Sequence, residues 1–206
     1  MIENKFDYEE YLRADMKALK CDLYKPRWGG ERYAIYSYQR LLRKCEYYTN
    51  CKKGIIYKPY ILFFKYLFRQ KSIKYGFSIP LNCFGKGLSI AHIGPIIING
   101  GTRIGYNCRI HVGVNIGTAA GFADKSPRIG NNVYIAPGAK LYGDIEIADG
   151  IVIGANSVVN KNFLTPNITI AGIPTKKLAI RVALIWENNT IFRTKIIDRE
   201  DCSIYG

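Results

Sequence analysis

From residue 98 onward an aliphatic side chain returns every six residues. Ile98, Ile104, Ile110 and Ile116 form one series, and after a gap Ile129, Ile135, Leu141, Ile147, Ile153 and Val159 form another. Small residues often follow, at Gly105, Gly117, Gly130, Ala136, Ala148 and Gly154. A second small or β-branched residue recurs four places after the aliphatic, at Val114, Val133, Ala139, Ile151 and Ser157. A simple strand repeats every two residues and a helix about every 3.6. Period six describes a solenoid in which each hexad is one short strand plus a corner. Three hexads close a triangular coil with the aliphatic residues pointing inward. Stacked coils pair their strands in parallel, which satisfies all but the terminal backbone groups.

The frame breaks once, at "GTAAGFADKSPR" (117–128). Gly, Asp, Lys, Ser and Pro in succession are poor wall residues, so this stretch is expected as a loop expelled from a corner. Upstream, Phe84, Ile90 and Ile96 keep the same step, then the frame slips by two to Ile104. "NGG" (99–101) lies at the slip and is suited to absorb it.

The first half has a different pattern. "DYEEYLRADMKAL" (7–19) reads as a helix with Asp7 at the N-cap and acids ahead of bases along the dipole. "ERYAIYSYQRLLRKCEYYTN" (31–50) and the aromatic, basic stretch 56–70 read as two more, separated by "KPRWGG" (25–30) and "NCKKG" (50–54). The expected organisation is a helical region at 1–74, a β-helix at 75–177 and a tail at 178–206. The fold class is mainly β with a helical N-terminal region. At 206 residues the chain is long enough for one sizeable core.

The formal net charge is +14, and residues 52–74 hold seven Lys/Arg and no acid. Such a surface favours polyanions, although no nucleic-acid motif accompanies it. "GIIYKPYILFFKYLFRQ" (54–70) is too short and too charged for a good spanning helix. It suits peripheral contact with an anionic leaflet, or packing on the first coil. The start has early acids and no secretory core. The six cysteines show no CxxC pair and read as reduced thiols in a cytoplasmic protein.

Residues 76–178 resemble the hexapeptide-repeat acyltransferases. Within them "GKGLSIAHIGPIIING", "CRIHVGVNIG", "VYIAPGAKLYGDIEIADGIVIGANSVV" and "ITIAGIPTKK" look like the serine acetyltransferase branch. The resemblance implies a left-handed parallel β-helix of hexapeptide repeats, a homotrimer, an active site between subunits and acetyl-CoA as donor, with no metal. It aligns His92 with the family's catalytic histidine. A histidine suits a general base because its pKa lies near the working pH. His111, at the second position of its hexad, is the second candidate for a site role. Ala136 and Ala155 match places where small residues admit the pantetheine arm. Lys161 and Lys176, joined by Lys177, match basic positions that meet coenzyme A phosphates.

The chain also departs from the serine enzymes. Phe77 and Ala91 stand where they carry Asp, and Lys125 and Ser126 replace an Arg-His pair. The amino-acid-recognising set is thus largely missing, and the N-terminal part is unusually aromatic and basic. These departures, together with a resemblance to surface-polysaccharide O-acetyltransferases, lead to a saccharide hydroxyl as the expected acceptor. The alternatives are a serine O-acetyltransferase of cysteine biosynthesis and a non-catalytic trimeric glycan-binding or scaffold protein. The second ring nitrogen of His92 then needs a new partner, either a backbone carbonyl or Asp124 of a neighbour's loop. Two histidines per chain fit poorly with a three-histidine zinc site.

Overall fold

A computed structural model describes residues 1–21, 30–122 and 124–180. Most of the "KPRWGG" break and the tail from 181 lie outside the described residues. The helical part comprises α1 (Lys5–Ala18), α2 (Gly30–Cys51) and α3 (Lys58–Tyr75). The N-cap of α1 is Asn4 rather than Asp7. Asn4 Oδ1 accepts from the Asp7 N–H (2.9 Å), while Asp7 Oδ2 accepts from the Glu3 N–H (3.0 Å). Two residues thus share the capping work, and the helix begins earlier than the acids alone suggest. Pro59 opens α3, and Gly76, at φ 75°, closes it in the left-handed region and releases the chain into the first strand.

Fourteen short strands follow among the described residues. They are β1 (Phe77–Ser78), β2 (Ser89–Ile90), β3 (Ile96–Ile98), β4 (Arg103–Ile104), β5 (Arg109–Ile110), β6 (Asn115–Gly117) and β7 (Arg128–Ile129). The remainder are β8 (Tyr134–Ile135), β9 (Lys140–Tyr142), β10 (Glu146–Ile147), β11 (Val152–Ile153), β12 (Val158–Val159), β13 (Ile168–Ala171) and β14 (Lys176–Ile180). They form three sheets, ordered β1-β3-β6-β9-β12, β4-β7-β10 and β2-β5-β8-β11-β13-β14. All pairings are parallel except β13 with β14, which closes the coil as an antiparallel edge. Each sheet is one wall of a triangular prism, and the period-six aliphatics are its buried interior.

Local constraints explain the repeat. A Cβ on Gly105 would sit 2.8 Å from the Gly130 carbonyl carbon, because the next coil passes directly over that corner. Other corners need positive φ, which Asn supplies at Asn82, Asn107, Asn132, Asn156 and Asn167. The frame slip is absorbed inside β3, where Ile96 and Ile98 are both buried and Ile97 faces out. The "NGG" turn then restores the step. The insertion leaves the wall between β6 and β7, and its base is tied to that same turn by the Ser126 hydroxyl donating to Asn99 Oδ1 (3.0 Å).

The helices close the open end of the prism. The first coil has no coil before it, so a set of its backbone groups lacks a strand partner. Gln39 of α2 replaces one: its Nε2 donates to the Leu88 carbonyl (2.7 Å) and its Oε1 accepts from the Ile90 N–H (3.5 Å). Arg43 donates to the carbonyls of Phe84 (3.0 Å) and Gly85 (2.7 Å), and Asp15 Oδ1 accepts from the N–H groups of Gly87 (2.8 Å) and Leu88 (2.9 Å). Arg43 also pairs with Asp15 (2.8 Å) and Glu46 (2.9 Å), all three side chains being buried. Burial opposes the guanidinium charge, but Asp15 and Glu46 outweigh it and hold its pKa above the ordinary value. One hydrophobic cluster runs from Leu19, Ile35, Tyr38 and Leu42 into the β-helix interior.

Removing one member of such a buried network strands the others. Arg43→Ala is expected to destabilise the fold by about 3–5 kcal/mol, read from the shift of the chemical-denaturation midpoint.

Candidate active site

His92 lies in the turn between β2 and β3, two residues past the inward Ile90. It sits off the interior positions, and its side chain is 60% exposed. Its Nδ1 lies 3.3 Å from Oε2 of Glu31, in the first turn of α2. The other carboxylate oxygen, Oε1, accepts from the Ile93 N–H at 2.6 Å. That backbone N–H, and then the His92 ring, hold the Glu31 carboxyl below the usual carboxylate range. The carboxylate is therefore pinned by the very turn that carries His92. A carboxylate on Nδ1 selects the tautomer with its proton there and leaves Nε2 as the basic nitrogen.

His111 follows β5, and its ring centroid is 6.2 Å from that of His92 and 5.0 Å from that of Tyr134. Its Nε2 is buried with no hydrogen-bond partner in the structure. Burial, followed by the charges of Arg109 and His92, pushes its pKa down to about 4. The two histidines are thus brought together, one exposed and buttressed, the other half-buried and neutral. Below them Arg109 donates to the Ser89 hydroxyl (2.9 Å).

The other expected site residues are more dispersed. Ala136 is buried beside His111, since β5 and β8 are neighbours in register. Lys176 and Lys177 are exposed on β14, at the far edge of the same sheet. Ala155 is exposed in the turn after β11. Lys161 lies past β12, in a different wall, with its ammonium 5.6 Å from the Phe163 ring centroid. Among the described residues no group of three or more His, Cys, Asp or Glu is placed to hold a metal, and no helix is long and apolar enough to cross a membrane.

The structure also accounts for the departures noted in the sequence. Phe77 points inward and meets Tyr38 edge-on at 4.9 Å, so it is a core residue. Ser126 is buried on Asn99, and Lys125 covers the Phe122 ring at 4.1 Å. Within the chain, the group that meets His92 Nδ1 is Glu31 rather than a backbone carbonyl. Glu31 stands 61 positions upstream. Its only sequence signal, an acid opening a helix, is shared by most helices and names no site.

A family profile described as "Bacterial transferase hexapeptide (six repeats)" matches residues 126–161. The serine acetyltransferase of Buchnera aphidicola subsp. Schizaphis graminum is 35% identical over 112 residues, covering 52% of this chain and 42% of that protein. The serine acetyltransferase of Staphylococcus xylosus is 43% identical over 91 residues, covering 44% of this chain and 42% of that protein. The chain thus spans less than half the length of these relatives. The structure of the Brucella abortus strain S19 serine acetyltransferase in complex with coenzyme A superposes with a TM-score of 0.69 at 23% identity. That match covers 87% of this chain and 70% of the other. The fold is therefore a left-handed parallel β-helix of hexapeptide repeats. Within that class, about half of this chain is similar to serine acetyltransferases.

These relatives correct the expected saccharide acceptor, because they are serine acetyltransferases. The physical reason lies in the site itself. Phe77 is taken up by core packing and Ser126 by anchoring the loop, so the absent residues say little about the acceptor, and α2 supplies a carboxylate beside the histidine.

His111 also makes stability depend on pH. Its ordinary pKa is 6.5, and in the folded chain it is about 4. Between those values the unfolded chain binds more protons. Stability is therefore retained above about pH 6.5 and falls as pH drops toward 4. His111→Gln should flatten that part of the profile, measured as Tm against pH alongside the parent chain.

Proposed function

We propose that this chain is an acetyl-CoA-dependent O-acetyltransferase with L-serine as acceptor, and that His92 is its general base. The observation that carries the reading is the His92–Glu31 pair on the wall of a hexapeptide β-helix. The similarity to serine acetyltransferases supports the acceptor, and the coenzyme A complex of the Brucella relative supports the donor.

A serine hydroxyl is a weak nucleophile at neutral pH. In the proposed reaction His92 Nε2 takes the hydroxyl proton as the oxygen attacks the thioester carbonyl carbon. Glu31 orients the ring and stabilises the imidazolium that forms. The tetrahedral intermediate collapses, the carbon–sulfur bond breaks, and the imidazolium returns its proton to the coenzyme A thiolate. The products are O-acetylserine and free coenzyme A. The exposure of His92 leaves it open to substrate from outside its own chain's core, as a homotrimer with sites between subunits requires. Ala136 and Ala155 are assigned to the pantetheine path. Lys161, Lys176 and Lys177 are assigned to the phosphates, where ammonium groups make charge-assisted hydrogen bonds.

Release of the thiol from acetyl-CoA in the presence of L-serine tests the reading directly, and turnover with a sugar but not with L-serine would overturn it. His92→Ala should lower kcat by about 10²–10⁴-fold. Glu31→Gln should lower kcat by about tenfold or more, the worth of one charged hydrogen bond, with the KM for acetyl-CoA unchanged. Lys176→Glu with Lys177→Glu should show the opposite split: a KM for acetyl-CoA raised about tenfold at constant kcat.

A further inference from the structure

Helix α3 is eighteen residues long and contains no buried residue. Its inner side rests on α2 through three aromatic contacts, Phe64 on Tyr48 (5.2 Å between ring centroids), Phe68 on Tyr38 (5.1 Å) and Tyr75 edge-on to Tyr38 (6.3 Å). Its outer side is apolar: Leu62, Phe63, Tyr66 and Ile73 are each more than half exposed. Their spacing of three, four and seven residues places them on one stripe. Ile55 and Ile56, in the short turn just before α3, are more exposed still. Isolated exposed apolar side chains need no explanation, but a continuous stripe of them does.

The charge around the stripe is of one sign. Lys58, Lys65, Arg69 and Lys74 are exposed on the same helix, and residues 52–74 contain no Asp or Glu. Lys71, whose ammonium binds the Ser37 hydroxyl (2.7 Å), adds to the cluster between α2 and α3. Burial, then Arg40 and Lys74, push its pKa down.

We propose that the outer face of α3 with the preceding 55–57 turn is a docking surface for a membrane leaflet bearing anionic headgroups. The stripe enters the acyl boundary and the lysines and arginine meet phosphates, as in an interfacial amphipathic helix. A second copy of the chain paired two-fold through this face fits it poorly. Two-fold pairing would set the same cations against each other, with no acid in the segment to receive them. A leaflet offers both chemistries, an apolar interior beneath a negative surface. The inference is independent of the proposed reaction, since neither His92 nor Glu31 belongs to this face.

Flotation of the full chain with phosphatidylcholine vesicles, with and without phosphatidylglycerol, tests it. Binding is expected only with phosphatidylglycerol present. Lys65→Glu with Arg69→Glu should weaken the partition at least about tenfold. A chain of this net charge can adhere to any anionic surface, so the deciding variant keeps the charge. Phe63→Ser with Tyr66→Ser should weaken binding about tenfold or more, while circular dichroism and serine-dependent thiol release stay at parent levels. Equal binding by that variant would mean charge adhesion alone and would overturn the proposal. So would no binding to phosphatidylglycerol vesicles, or a doubled mass in light scattering that the same variant abolishes.

Discussion

The structure depends on closing the first turn of a solenoid. Every coil after the first borrows its hydrogen bonds from the coil before, but the first has none to borrow from. Gln39, Arg43 and Asp15 meet that requirement by presenting amide, guanidinium and carboxylate groups to the backbone of residues 84–90. An open parallel edge is both unsatisfied and prone to pairing with other chains. A buried Arg–Asp–Glu cluster would be a poor bargain in an ordinary core, where a hydrophobic replacement does as well. Here its donors and acceptors match orphaned peptide groups that an aliphatic side chain would leave bare.

That closure has a consequence for the site. Gln39 and Arg43 lie on α2, and so does Glu31 in its first turn. The contacts that seal the coil therefore set where the helix begins relative to the β2–β3 turn. They bring a carboxylate against His92 and the Ile93 N–H together. The helical part is thus more than an appendage to the β-helix, because the proposed base takes its orientation from it. His111 shows the converse case. Its neutrality comes from the wall itself, through burial beside Tyr134 and the nearby cationic Arg109.

Much of the architecture was legible because the repeat is strict. Each aliphatic at the six-residue step is interior, and the break at 117–128 is where the wall gives way to a loop, whereas the two-residue slip falls inside β3 rather than at "NGG". The small residue after the aliphatic has an equally direct cause at Gly105, where the next coil occupies the space of a Cβ. The site was legible only in part. His92 was singled out by the resemblance, which aligns it with the family's histidine between the "GKG" turn and the "PIIING" strand. Its partner could not be, because an acid at a helix start carries the same signal whether it serves the dipole or a histidine. Reading the acceptor from absent residues failed for a related reason: Phe77 and Ser126 are occupied with packing and loop anchoring, and so say little about substrate.

The sequence by itself determined the stacking: a six-residue aliphatic step permits a triangular coil and assigns the interior residue by residue, since the period is local to each hexad. It also placed the cationic, aromatic segment that becomes α3. Only the tertiary structure decided that Glu31 meets His92, that His111 is half-buried beside Tyr134, and that the aromatic face of α3 is divided between α2 and solvent. Those outcomes join groups dozens of residues apart, and no local period specifies how a helix end and a coil corner meet.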